Sequence, residues 1–199
     1  MLKRVFDFVF SFIGLCFLVP FFILISVIVK IDSRGPVFYL QQRVGRGGRL
    51  FHLFKFRTMH TEADKLTAIT VGKRDSRITH VGYYLRKYKL DELPQLINVV
   101  KGDMSLVGPR PELKKFVDLY TKEQRDVILV RPGITDLASI EYRNENELLE
   151  GKADPIDFYI REIMPHKLEL NRHYIQHQSF GLDLKIIFTT VFSIFKKST

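Results

Sequence analysis

The sequence predicts an α+β fold that is mostly helical, with one compact domain and a membrane-inserted helix at its N-terminus. Three observations lead to this prediction: a long uncharged apolar run near the start, a glycine-rich turn between two strand-like segments, and apolar residues at helical spacing elsewhere. The 199 residues suffice for one domain, and 46% hydrophobic with 27% charged residues excludes a disordered chain. We therefore expect a membrane segment over 1–32 and a folded domain over 33–199.

The uncharged run extends from Phe8 to Val29, 22 residues in which serine is the only polar type. As a helix it would be about 33 Å long at ~1.5 Å per residue, which matches a bilayer core of about 30 Å. A cleaved signal peptide is a poor match, because the run is long and no small-x-small site follows it before Lys30. A core helix that is apolar on all sides would need a larger protein around it. The run is therefore predicted to insert into a membrane.

The topology of this helix depends on its flanking charges and on Pro20. Basic residues lie on both sides of the run: Lys3 and Arg4 before it, and Lys30, Arg34, Arg43, Arg46 and Arg49 after it. Basic flanks mark the cytoplasmic side, so charge alone favours both ends on the same face. Pro20 removes one helix hydrogen bond and favours a bend. Two half-helices meeting at Pro20 could enter one leaflet and return, and a single span is the alternative.

The remaining elements follow from local patterns. Strand-like segments at 37–43 and 49–59 flank a glycine-rich turn and predict a hairpin. Further predictions, in chain order, are a helix over 80–89, a helix from Asp91 to Gly102, a rigid corner over 108–111, a helix from a Thr121–Gln124 capping box to Val130, an extended segment over 134–142 and helices over 159–177.

The C-terminal region predicts an amphipathic helix over 182–196. Apolar residues recur there at helical spacing, and polar residues occupy the other faces. Such a helix is suited to the membrane interface, with a plain core-facing helix as the alternative.

The net charge of +9 indicates anionic partners: phosphates, nucleic acid or an acidic membrane face. A non-catalytic, membrane-anchored basic protein that binds anionic lipid or nucleic acid is therefore one hypothesis. The aromatic residues are concentrated in apolar runs instead of alternating with lysine and arginine, so no nucleic acid is expected. The single cysteine, Cys16, excludes an internal disulfide.

Asp91 and Glu92 are the first candidates for catalysis. Two adjacent carboxylates at a predicted helix N-terminus lie in positive potential, which would keep them ionised at neutral pH. An ionised aspartate can attack phosphorus to give an acyl phosphate, and its neighbour can hold a divalent cation. The alternative is a simple N-terminal cap.

Several cations could bind a phosphate beside this pair. Arginine donates two parallel hydrogen bonds to phosphate oxygens, and Arg86, Arg110, Arg131 and Arg143 could converge on a diphosphate. Lys55 and Arg57 share one face of the second predicted strand. A basic surface that faces anionic lipid is the alternative for any one of these residues.

Four motifs together resemble a known family. Lys55–Met59 reads KFRTM, Leu90–Leu96 reads LDELPQL, Asn98–Pro111 reads NVVKGDMSLVGPRP and Arg131–Thr135 reads RPGIT. The order of these motifs is similar to that of the bacterial sugar transferases, the monotopic polyprenyl-phosphate phosphoglycosyl transferases. The resemblance is densest from Lys55 to Thr135 and extends thinly over nearly the whole chain.

The resemblance implies transfer of a sugar 1-phosphate from a UDP-sugar to polyprenyl (undecaprenyl) phosphate, with release of UMP, as the first membrane step of bacterial glycoconjugate synthesis. It implies a catalytic domain on the cytoplasmic face of the inner membrane. Asp91 would carry the phosphosugar covalently, and Glu92 would hold Mg²⁺. The implied substrate and phosphate contacts are Lys55, Arg57, Arg86, Pro109, Arg110, Pro111, Arg131 and Arg143.

The chain departs from the family pattern at two places. The family's membrane segment is re-entrant, a helix-break-helix that usually breaks at Ser-Pro, where this chain has Val19-Pro20. Given the resemblance, re-entry is favoured over a span. Residues 136–144 also differ from the family pattern, so the sequence predicts neither the sugar nor the role of Arg143, and it makes no prediction of oligomeric state.

Overall fold

The structure, a computed structural model, describes residues 2–61, 71–72 and 75–195. Most of these residues are helical, as predicted, and they form one compact unit. Residue 1 of the predicted membrane segment and residue 196 of the predicted C-terminal helix lie outside the described residues. The α-helices are α1 (Leu2–Asp32), α2 (His80–Lys87), α3 (Gln95–Lys101), α4 (Lys114–Val117), α5 (Leu137–Glu141), α6 (Glu145–Leu149), α7 (Pro155–Phe158), α8 (Met164–Gln176) and α9 (Phe180–Phe195).

The described residues also contain the strands β1 (Phe38–Val44), β2 (Leu50–Phe56), β3 (Ser105–Val107) and β4 (Gly133–Thr135). The predicted hairpin is confirmed: β1 and β2 pair antiparallel, from Phe38 opposite Phe56 to Val44 opposite Leu50. Gly47 and Gly48 adopt φ values of 67° and 80° in its turn, a left-handed conformation that favours glycine.

A second pairing brings distant motifs together. Strands β3 and β4 are parallel, with Ser105 opposite Gly133. A Cβ on Gly133 would lie 2.1 Å from the Gly108 nitrogen, so only glycine permits this approach. The corner over 108–111 therefore lies directly beside the segment that follows Arg131.

Helix α1 is long and apolar enough to cross a membrane, yet only 11% of its most apolar stretch is buried. A core helix would be mostly buried, so α1 presents most of its apolar surface outward. It contacts the rest of the protein through one narrow stripe at helical spacing, which includes Asp7, Ser11, Ile25 and Val29. Pro20 lies inside the helix and does not interrupt it, so the two arms expected on either side of a break form one continuous element.

Both ends of α1 are fixed to the same domain. Near its start, Lys3 forms an ion pair with Asp183, and the Asp7 carboxylate accepts a hydrogen bond from Ser105 Oγ at 2.6 Å. At its other end, the Arg57 guanidinium donates to the Val29 and Ser33 carbonyls at 3.1 and 2.7 Å. This agrees with the flanking charges, which favour both ends on one side; the membrane topology itself stays a prediction.

Other boundaries differ from the predictions for local reasons. The helix expected from Asp91 begins only at Gln95, after a separate 3₁₀ turn over Leu90–Glu92. The extended segment expected over 134–142 is wrong beyond Thr135, because the Asp136 carboxylate caps α5 by accepting from the Ser139 N–H at 2.6 Å. The Thr121–Gln124 capping box is present, but it opens a 3₁₀ turn over Gln124–Ile128.

The C-terminal half builds the main core. A π-helical turn over Tyr159–Ile163 leads into α8, which confirms the helices expected over 159–177. Their buried side chains pack with Phe116, Val127 and Leu149. Helix α9 then returns to the start of α1, where Phe180 packs edge-on against Phe6 with ring centroids 5.0 Å apart. The two most apolar helices thus meet at one corner of the protein.

Candidate active site

A cavity of about 1340 Å³ opens between the hairpin and helices α2, α3, α5 and α9. Its lining includes most of the charged residues that the sequence singled out: Lys55, Arg57, Arg86, Asp91, Glu92, Arg110 and Arg143. The cavity thus assembles groups that are up to 88 positions apart in the chain, from Lys55 to Arg143.

The Asp91–Glu92 pair lies in the 3₁₀ turn over Leu90–Glu92 and not at a helix N-terminus. Lys89, which precedes the turn, has a φ of 55°, the single positive φ outside glycine within the described segments. The left-handed conformation of Lys89 changes the direction of the chain after α2, and Asp91 and Glu92 then line the cavity. The expected position of the pair at a helix N-terminus is therefore wrong.

Asp91 is buried, with 6% of its surface exposed, and its Oδ1 atom has no hydrogen-bond partner. Burial, reinforced by repulsion from Glu92, raises the pKa of the Asp91 carboxyl above its ordinary value. Lys55 and Arg86 oppose that shift in pKa. A carboxylate that is poorly solvated and incompletely hydrogen-bonded is a stronger nucleophile than one in water, so Asp91 is suited to attack an electrophile in the cavity.

Glu92 has the opposite environment. Its carboxylate accepts from Lys55 Nζ at 3.2 Å and from Arg110 Nη1 at 3.0 Å, with a further contact to Arg110 Nη2. Although burial acts in the other direction, Arg110 and Lys55 hold the pKa of Glu92 well below its usual range. Burial in turn lowers the pKa of Lys55 to about 8. Glu92 therefore remains an anion and fixes two cations beside Asp91.

Arg86 is the third cation next to the pair. Its Nε atom donates to Thr58 Oγ1 at 2.9 Å, and attraction to Asp91 is the largest effect that counteracts the lowering of its pKa by burial. Burial lowers the pKa of Arg86, but a guanidinium stays charged at any physiological pH. Lys55, Arg86 and Arg110 therefore bring three positive charges to the part of the cavity that holds the two carboxylates.

The structure places the other predicted residues differently. Arg57 lines the cavity, but its guanidinium donates hydrogen bonds to the carbonyls at the end of α1. Arg131 does not line the cavity and donates to the Gly102 carbonyl at 3.1 Å. Pro109 and Pro111 line a small neighbouring cavity and hold Arg110 between them. Arg143 does line the main cavity, on the side of α5. Three of the four arginines expected to converge therefore reach the cavity, and Arg131 does not.

A second charged group lines the cavity and was not predicted. Glu112 accepts from Tyr159 Oη at 2.6 Å and from Arg43 Nη1 at 3.3 Å, and Lys167 Nζ lies 3.9 Å from it. Lys167 and Arg43 hold the pKa of Glu112 below its ordinary value against the effect of burial. Glu112 directly follows the Pro-Arg-Pro corner, and that position is the one signal in the sequence that could have identified it.

Magnesium is a poor match for the residues present. Mg²⁺ prefers an octahedron of hard oxygen ligands, usually one or two carboxylates completed by water and substrate phosphates. Both oxygens of Glu92 are already engaged by Lys55 and Arg110. The expected role of Glu92 as a metal ligand thus does not fit its contacts.

Comparison with known proteins gives one consistent family. The description "Bacterial sugar transferase" belongs to the family whose profile matches residues 1–197. A sugar transferase of Bacillus subtilis, EpsL, is 39% identical over 190 residues, which cover 96% of this chain and 85% of that protein.

Two further relatives carry more specific names. The UDP-glucose:undecaprenyl-phosphate glucose-1-phosphate transferase of Caulobacter vibrioides is 37% identical, over 96% of this chain and 69% of its own length. The UDP-N-acetylgalactosamine-undecaprenyl-phosphate N-acetylgalactosaminephosphotransferase of Aeromonas hydrophila is 38% identical, over 97% of this chain but 43% of its own length. The chain thus spans less than half of that last relative.

The match over nearly the full length agrees with the buried carboxylate and the three cations around it. The chain belongs to the bacterial sugar transferase family.

Proposed function

We propose that the protein transfers a sugar 1-phosphate from a UDP-sugar to a polyprenyl phosphate such as undecaprenyl phosphate. The observation that carries this proposal is the state of Asp91: a buried carboxylate with an unpartnered oxygen, on the wall of a cavity that Lys55, Arg86 and Arg110 also line. The names of two relatives support the donor and acceptor classes.

In the first step, an oxygen of Asp91 attacks the phosphorus that carries the sugar. A new O–P bond forms, the bond between that phosphorus and the bridging oxygen breaks, and UMP leaves with the electron pair. No proton is required for this exchange, because the carboxylate is ionised and the leaving phosphate accepts the charge. The enzyme then carries the phosphosugar as an acyl phosphate on Asp91.

The cations around Asp91 stabilise the charge that moves in this step. Arg110 and Lys55 are oriented by Glu92 before the substrate arrives, so little reorganisation is needed when the negative charge shifts to the leaving UMP. Arg86 approaches the same end of the cavity from α2. Glu92 acts on these cations and not on the phosphorus.

In the second step, a phosphate oxygen of the polyprenyl phosphate attacks the same phosphorus. The bond from phosphorus to Asp91 breaks, which restores the carboxylate and leaves a polyprenyl-diphospho-sugar. Because UMP has already departed, the two bulky anions do not have to occupy the cavity at the same time. One set of cations can therefore serve both steps.

The protein would act at the cytoplasmic face of the inner membrane. The outward surface of α1 is apolar along its length, and α9 exposes Phe188 and Phe192. Both ends of α1 are held by the same domain, which is what a helix that enters and leaves one side of a bilayer requires. A membrane-bound acceptor and a soluble donor could meet at such a position.

The experiment is UMP release by the purified, detergent-solubilised protein with a panel of UDP-sugars, in the presence of undecaprenyl phosphate. We expect UMP with at least one donor, and a mass increase of one phosphosugar on the intact protein when the acceptor is omitted. A protein that only binds anionic lipid would release no UMP with any donor. Release of UMP without any adduct on the peptide that contains Asp91 would contradict the covalent step.

A further inference from the structure

Apolar side chains also line the cavity. Among them are Leu96 from α3, Leu106 at β3, and Ile187 and Val191 from α9, which we call the apolar wall. Ile187 and Val191 are four positions apart and so lie on the same face of α9. The sugar and the diphosphate of a nucleotide sugar are polar and do not call for such a surface, which leaves its base and the hydrocarbon chain of the acceptor as candidates to contact it.

The apolar wall begins next to the cations. Arg110 Nη1, which binds Glu92, also lies 3.5 Å from the Ile134 carbonyl, and the next residue, Thr135, shares a hydrogen bond of 2.6 Å with Thr190 of α9. Thr190 lies between Ile187 and Val191 on the cavity side of the helix. An unbroken series of contacts thus joins the cationic end to the apolar wall.

The same wall reaches the apolar exterior. Adjacent to its cavity face, α9 exposes Phe188 and Phe192, the latter by 72%. On the α3 side, a Cβ on Gly14 of α1 would lie 3.6 Å from Leu96 Cδ1, so Leu96 touches the middle of the apolar helix as well as the cavity. The strip therefore runs from the cations to the two helices that we place in the membrane.

We infer that this strip, formed by Leu96, Leu106, Ile187 and Val191, binds the first isoprene units of the acceptor. A polyprenyl phosphate combines the two features that the cavity offers in sequence: a phosphate for the cations and a hydrocarbon chain for the strip. Burial of apolar surface along α9 would hold the acceptor phosphate at the height of Asp91. The inference rests on the proposed function, since it names where one of its two substrates lies.

The test compares two aspartate substitutions two positions apart on α9. Val191→Asp introduces a charge into the strip, whereas Thr189→Asp introduces the same charge at an exposed position outside the cavity lining. We expect Val191→Asp to raise the KM for undecaprenyl phosphate at least tenfold in detergent. The single-turnover burst of UMP without acceptor should stay unchanged in both variants, and Thr189→Asp should leave the acceptor KM within twofold of the original protein.

Ile187→Ala serves as a milder second variant in case Val191→Asp does not fold, which thermal unfolding would reveal. It removes apolar surface without adding charge, so we expect a several-fold rise in acceptor KM. Unchanged acceptor KM in both strip variants would overturn the inference. Loss of the UMP burst in a folded strip variant would also overturn it, because the wall would then serve the donor.

A labelling measurement separates this inference from the proposed function. A photoreactive short-chain prenyl phosphate should label the peptide that contains Ile187 and Val191, and an excess of undecaprenyl phosphate should suppress the labelling. This result does not need turnover. If the protein formed no phosphosugar adduct, the proposed function would fail while the labelling would still report on the strip; labelling elsewhere would contradict the strip alone.

Discussion

Asp91 and Glu92 are adjacent in the chain, yet their carboxylates have opposite surroundings. Glu92 is bound by Lys55 and Arg110, whereas one oxygen of Asp91 is buried without a partner. Two of the nearby cations, Lys55 and Arg110, are thus bound by Glu92. The free carboxylate is therefore kept reactive at the expense of stability, as is common in active sites.

Replacing Asp91 by Asn should separate activity from stability. We expect UMP release to fall by a factor on the order of 10⁴ or more, as for removal of other covalent nucleophiles. The midpoint of thermal unfolding should rise, because burial raises the pKa of Asp91 and its ionised form therefore destabilises the fold. Differential scanning fluorimetry in detergent would measure this; a lowered midpoint would contradict it.

Replacing Glu92 by Gln should have the opposite effect on stability. It leaves two poorly exposed cations without their counter-ion, and breaking such a pair costs about 3–5 kcal/mol in the free energy of unfolding. The measurement is denaturant unfolding without added Mg²⁺. A matched control is Asp118→Asn, which breaks an exposed pair with Lys114 and should cost no more than about 1 kcal/mol.

If Glu92 served only as a metal ligand, the loss of stability in Glu92→Gln would require Mg²⁺ in the buffer. Equal stability of the variant and the original protein in metal-free buffer would therefore contradict the ion-pair role. The same comparison would show whether Mg²⁺ stabilises the protein at all in the absence of substrate.

The dependence of kcat/KM on pH should report both Asp91 and Lys55. Asp91 must be ionised to attack, so activity should fall as the pH decreases through its raised pKa. Lys55 must be protonated to hold its positive charge, so activity should fall again as the pH rises through about 8. Because a guanidinium stays charged to far higher pH, Lys55→Arg should move the alkaline fall upward. An unchanged alkaline limb in that variant would assign it to another group.

Elements that depend on local sequence patterns could be predicted from the sequence. The uncharged run predicted α1, the glycine-rich turn predicted the β1–β2 hairpin, and helical spacing of apolar residues predicted α9. Each of these depends on residues close together in sequence. The reading of Pro20 shows the limit of such rules, since the proline lies within a continuous helix whose neighbouring residues keep their helical conformation.

Features that depend on distant partners could not be predicted. The parallel pairing of β3 with β4 joins segments about 28 positions apart, from Ser105 to Gly133, and each strand is three residues long. The bond between Glu92 and Arg110 likewise joins residues 18 positions apart in the chain. The motifs predicted candidate site residues; only the fold showed that Arg131 lies outside the cavity lining and that Glu112 lies within it.

Two buried amides on α3 provide a final prediction about which polar groups support the fold. Gln95 and Asn98 are both fully buried. The Asn98 side chain accepts from the Phe54 N–H at 3.0 Å and donates to the His52 carbonyl at 2.8 Å, which ties α3 to β2. Neither amide atom of Gln95 has a partner.

Removal of these two amides should therefore have unequal effects. Asn98→Leu leaves two backbone groups of β2 without a hydrogen-bond partner. Each such buried group costs about 1–3 kcal/mol, so the free energy of unfolding should fall by several kcal/mol. Methionine is close to glutamine in shape, and Gln95→Met leaves no other group without a partner, so the free energy of unfolding should stay equal or increase. Denaturant unfolding of both variants would check this. A large loss of stability in Gln95→Met would show that its amide has a partner in the folded protein, such as a buried water beside Asp91, one helical turn away.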